Sequence, residues 1–344
     1  MPTGSMTVAR TAHTATLLGN GKVLIAGGFS DKATLGTAEL YDPATGTFTA
    51  TGSMAAARVY HTATLLQSGK VLIAGGTEVE ILASAELYDP TTGTFTATGD
   101  MAVVSSAHTA TLLSSGKVLV AGGSDGSTVY TSAELYDPAT GTFAATGSMS
   151  TARMLHTMTW LISGKVLVTG GMGEIADTSS TLGTTELYDP TSGTFTVTDA
   201  MAEGRYEHTA TLLTSGEVLI AKGRGWDGMN TSLLRSSQLY GPETGTFKVT
   251  GSMADATRAL HTATLLSNGT VLLAGGWAAL VATTIPNVLA SAELYDPAAM
   301  TFTPLRNMTA PRKSHTATLL GDGQVLIAGG SNDYHGLASA ELFQ

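Results

Sequence analysis

One unit recurs seven times along the chain. The tract HTATLL, or a close variant, begins at His13, His61, His108, His156, His208, His261 and His315, at spacings of 48, 47, 48, 52, 53 and 54 residues. Ten residues after each His, a Val opens a second apolar run. That run ends in Gly-Gly in six copies and in Lys222-Gly223 in the fifth. AELYDP or a variant follows, and then TGTF or a variant. Each copy thus carries four short strand-like runs, A to D, and nothing shows sustained helical periodicity. A repeat of this length means stacked equivalent units, not independent domains.

The turns fix how the runs pair. A and B are joined by tight Gly turns such as Asn20-Gly21 and Ser68-Gly69, the strongest short hairpin signal. C and D are joined by Asp-Pro-x-x-Gly turns, where Pro pre-sets φ and Gly takes the conformation others avoid. Four antiparallel strands in about 50 residues describe a propeller blade. Small Thr and Ala in run A suit the crowded axis. Large Tyr and Phe in runs C and D fill the outer space where blades splay. The expected fold is all-β: one seven-bladed β-propeller of four-stranded blades over 1–344, with repeats starting near 10, 58, 105, 153, 205, 258 and 312. The chain stops in run C of its last copy, and Pro2–Met6 matches the end of run D. The N- and C-terminal strands are therefore expected to close the ring, with the chain read as a fragment of something longer.

HTATLL…GKVLIAGG…AELYDP…TGTF resembles the Kelch repeat, in the form seen in bacterial Kelch proteins and galactose-oxidase-type propellers. Phe stands where Kelch repeats usually carry Trp. The resemblance implies a ligand-facing ring at the residue after each Gly pair: Phe29, Thr77, Ser124, Met172, Arg224, Trp277 and Ser331. It also implies, by analogy with Kelch adaptors, that the Arg three residues before each His could meet an anionic ligand near the axis. These are Arg10, Arg58, Arg153, Arg205, Arg258 and Arg312; copy three has Ser105. The competing expectation is that each Arg pairs with Glu or Asp of a neighbouring blade.

Composition narrows the chemistry. The chain has no Cys, which removes thiolate metal sites, Cys nucleophiles and any Cys-linked cofactor. Its net charge of −10 argues against nucleic acid. No apolar run is long enough for a membrane span. Arg58-Val59-Tyr60-His61 resembles the segment that supplies an axial Tyr and a His to copper in galactose-oxidase-type enzymes. Repetition of His in every copy argues instead for a structural role, so no metal and no cofactor are expected.

The D–A and B–C loops should share one face. The B–C loops lengthen in copies four to six, over 172–185, 224–237 and 277–292. Copy five departs furthest from the pattern and reads Arg224-Gly225-Trp226-Asp227. The expected ligand-binding residues are Phe29, Arg58, Tyr60, Met172, Arg205, Tyr206, Glu207, Arg224, Trp226, Asp227 and Trp277. The expected role is a monomeric, non-catalytic module for a protein segment or glycan, secreted or at a bacterial cell surface. The alternatives are a carbohydrate-active lyase or hydrolase using Tyr206, Glu207 or His208 with Arg224, and a structural or adhesive domain of a larger surface protein.

Overall fold

The computed structural model describes residues 1–174, 180–226, 231–252, 257–279, 286–332 and 335–344. Within them lie seven blades of antiparallel strands, six in the order A–B–C–D and the seventh A–B–C with the N-terminal segment bridged to its edge. Blade 1 shows the pattern: Thr14–Leu17, Val23–Ala26, Ala38–Asp42 and Thr47–Ala50. Its register sets Leu17 opposite Val23, Val23 opposite Tyr41 and Tyr41 opposite Phe48. The A strands of successive blades lie side by side around the axis.

Strand B reads VLIA with every residue buried, because it is flanked by strands on both edges and covered by blades on both faces. The core is therefore a ring of layers between blades. In one layer Leu24, Ala26 and Ala38 of blade 1 meet Val71, Ile73 and Tyr88 of blade 2. Six of the seven outer layers are filled by a Tyr–Phe pair, as at Tyr88 and Phe95 with centroids 4.8 Å apart, and Phe343 stands in the layer between blades 6 and 7. The buried phenol finds its partner on the preceding repeat: Tyr88 Oη lies 2.9 Å from Thr51 Oγ1.

The N-terminus supplies the last strand, as the sequence predicts. Pro2 bridges Glu341, and Thr3 and Met6 donate to the carbonyls of Ala340 and Ala338 at 3.2 and 2.9 Å. Gly4 donates to Gly46 O at 2.9 Å, repeating the bond from Gly52 to Gly93 O. The B–C connections of blades 5 and 6 hold more structure than a loop. Arg224–Trp226 pairs with Thr231–Leu233, and Trp277–Ala279 with Pro286–Val288. In the other blades a single bridge, such as Phe29 to Thr34, stands at the same place, so the added length extends an existing rung into a ribbon.

Candidate functional site

The loop face is organised by the three residues that lead into strand A. The first bridges the residue after the Gly pair of the same repeat, as in Thr11–Phe29, Tyr206–Arg224 and Ala259–Trp277. The second adopts a left-handed backbone in every blade although none is Gly. These are Ala12, Tyr60, Ala107, Leu155, Glu207, Leu260 and Ser314, with φ from 50° to 57°. Such a conformation costs about 1 kcal/mol or more per residue and persists only where its surroundings impose it. Here inter-blade hydrogen bonds do so. Leu155 N–H donates to Ala107 O at 3.0 Å, and Ser314 N–H to Leu260 O at 3.1 Å. Side chains of these residues rim the mouth of the central channel, a cavity of about 350 Å³.

The third residue is the repeated His. Its Nε2 meets the first Thr of the preceding blade: His61 to Thr14 at 3.0 Å, His156 to Thr109 at 2.7 Å, and His13 to Thr316 at 3.0 Å across the closure. The ring is complete, since His108, His208, His261 and His315 make the same contact. Burial drives the imidazole pKa down to about 3 at His13, His61, His208 and His315. These rings are neutral inter-blade links. Among the described residues no group of three or more His, Asp or Glu could hold a metal ion.

Four of the expected ligand residues, Arg58, Met172, Arg205 and Tyr206, are buried. Arg58 and Arg205 are fully buried. The Arg58 guanidinium donates to Gly75 O at 2.8 Å and Ser84 O at 2.9 Å and pairs with Glu86 at 2.9 Å. Glu86 lies on strand C of the same repeat, not of a neighbouring blade, and also accepts the N–H of Ala55 at 2.9 Å. The pair therefore staples the crossover between blades. Arg205 binds Lys222 O at 3.0 Å and Ser236 O at 3.1 Å; Gln238 stands where the other Arg copies carry Glu, and burial pushes the Arg205 pKa down to about 10 against the pull of Glu203, 3.6 Å away. Met172 is buried as well, at 6% exposure.

The others gather on the face. Tyr60 is 57% exposed and projects at the channel mouth, and Phe29 is 42% exposed on blade 1. Glu207 also lines the mouth, and its Oε2 lies 2.8 Å from Arg224 Nε. Burial raises the Glu207 pKa, against the pull of Arg224 and Lys313. The Arg224 guanidinium carbon sits 4.4 Å over the Trp277 ring and 6.0 Å from the buried Tyr206 ring. Trp226, at the end of the same ribbon strand, is 37% exposed. Asp227 lies outside the described residues. Glu207, Arg224 and Trp277 thus form one stacked unit, which brings together blades 5 and 6.

The Kelch motif matches residues 10–55 and 107–150, which are copies one and three, in phase with the other five and with the blades. The protein is a Kelch-repeat propeller. No curated protein matches its sequence significantly. Among solved structures, the Kelch propeller is similar to a novel fungal alcohol oxidase with catalytic diversity among the AA5 family, in complex with copper. The likeness has TM-score 0.76 and 19% identity, covering 98% of this chain and 74% of that one. At that identity the likeness concerns the fold.

Proposed function

We propose that this Kelch propeller is a non-catalytic binding module that takes a protein segment or a glycan on the loop face of blades 5 and 6. The observation that carries it is the Glu207–Arg224–Trp277 stack beside the channel mouth. Glu207 pairs with Arg224 on its Nε side, at 2.8 Å, which places the ion pair at one edge of the guanidinium. A guanidinium held over an indole is preorganised, so little side-chain entropy is lost when a ligand carboxylate, carbonyl or hydroxyl engages it. Trp226 and Tyr60 supply exposed aromatic surface of the kind that anchors both peptides and sugars.

The carbohydrate-enzyme alternative has one point in its favour. A Glu207 carboxyl with a raised pKa could hold a proton to donate. Glycoside cleavage needs a second carboxyl about 5–9 Å away, and the residues lining the mouth include Glu207 alone. Copper chemistry like the fungal oxidase's fits poorly. His61 Nε2 is taken by Thr14, His61 is buried and held neutral, and the chain has no Cys. No described residue supplies the remaining ligands.

Glycan and peptide arrays probed with the purified protein test the proposal. Hits should weaken at least ~10-fold in Arg224→Ala and Trp277→Ala, as expected of anchor residues. Glycan turnover abolished by Glu207→Gln would instead favour the enzyme.

A further inference from the structure

Blade 5 also departs from the repeat on the opposite face. There the A–B turn of one blade and the A–B and C–D turns of the next enclose a groove. Between blades 7 and 1 the groove measures about 460 Å³, and between blades 2 and 3 about 280 Å³. Both are edged by an ion pair between those turns, Lys22–Asp42 at 3.0 Å and Lys117–Asp137 at 3.0 Å. Between blades 4 and 5 it measures about 540 Å³.

Five departures from the repeat line this one groove. Ile162 stands where sister copies hold Gly, Gln, Ser or Thr, and Glu217 where four hold Lys. Gly241 replaces the Asp, Glu243 an Ala or Thr, and Lys248 a Thr or Ala. The consequences are physical. Glu217 pairs with Lys248 at 2.7 Å, and Gly241 removes the carboxylate that pairs with Lys in the sister grooves. Ile162 is left 74% exposed beside Pro242. Neutral drift would scatter such changes over the equivalent grooves around the ring. Their convergence from two blades on one groove is how a repeat protein builds a single site.

We propose that the blade 4–5 groove docks an extended segment of a partner protein, with an apolar side chain on Ile162 and Pro242 and a Lys or Arg beside Glu217 and Glu243. Charge decides the occupant. Two carboxylates against one paired Lys favour a cationic flank. A second copy of this chain, at net charge −10, would oppose acid to acid.

Nine-residue peptides with a central Leu or Phe flanked by Lys or Arg are the probe, titrated by fluorescence anisotropy against matched peptides flanked by Glu or carrying a central Gly. The protein is compared with a variant that restores the sister residues: Ile162→Gln, Glu217→Lys, Gly241→Asp, Glu243→Thr and Lys248→Thr. Each is already tolerated in another blade. Basic-flanked apolar peptides should bind, lose at least about tenfold in the restored variant and be unaffected by Trp277→Ala. If the restored variant does not fold, Ile162→Ser with Glu243→Thr carries the same comparison. Indifference to flank charge, undiminished binding to the restored variant, or loss in Trp277→Ala would each overturn the proposal.

Discussion

Seven buried neutral His should make this propeller unusually sensitive to acid. An unfolded His titrates near 6.5, whereas His13, His61, His208 and His315 titrate at about 3 and His108 at about 4 when folded. Below pH 6.5 the unfolded chain binds protons that the folded chain refuses, so stability is full above that value and falls through the window down to about pH 3–4. From pH 7 to pH 5 each such His costs about 1.9 kcal/mol, or about 9 kcal/mol for five, from unfolded protonation at a pKa of 6.5. His156 and His261, also shifted well down by burial, add in the same direction. A domain stable by about 5–15 kcal/mol would lose most of its margin. Urea unfolding between pH 7.5 and pH 5 measures this directly through the slope of stability against pH. At pH 5 unfolding should take up at least about five protons, and His61→Gln should lower that uptake by about one. Uptake of fewer than about two would show that the ring is not held neutral by burial.

The closure predicts that deleting residues 1–8 removes the fourth strand of blade 7 and uncovers the Met6 layer. The loss should be at least about 3 kcal/mol, the scale of removing one buried Met side chain, and an unchanged thermal melt would refute it. Arg58→Ala strands the buried Glu86 carboxylate and should cost about 3–5 kcal/mol in urea titration. A cost under about 1 kcal/mol would mean that the pair is a surface-like bridge.

Repeats, blade count, strand order and terminal closure are all legible in the sequence, because each rests on local turn chemistry and on copies that check one another. The site is less legible. Arg58 and Arg205 read as axial because spacing places them just before the axial His. Nothing local says that the side chain turns away, toward a carbonyl 17 residues on. A signal was present: five of the six Arg copies carry Glu at the start of AELYDP, and the sixth, copy five, carries Gln238. Met172 follows its Gly pair just as Arg224 and Trp277 do, and burial alone separates them. The left-handed ring is hidden because Ala12, Tyr60 and Leu155 advertise no such backbone; it is imposed by contacts between blades. Glu207 joins Arg224 only through the ribbon and the bridge at Tyr206, which bring distant residues of blade 5 together.

The central claim is that ligand meets the loop face at the Glu207–Arg224–Trp277 stack. Hydrogen–deuterium exchange, with and without the array ligand that proves most sensitive to Trp277→Ala, tests it most directly. Protection should appear in Tyr206–Glu207, Arg224–Trp226 and Ala259–Trp277, whose bridges and ribbon tie the stack to blades 5 and 6. Protection confined to the A–B and C–D turns would contradict the account and place binding on the other face.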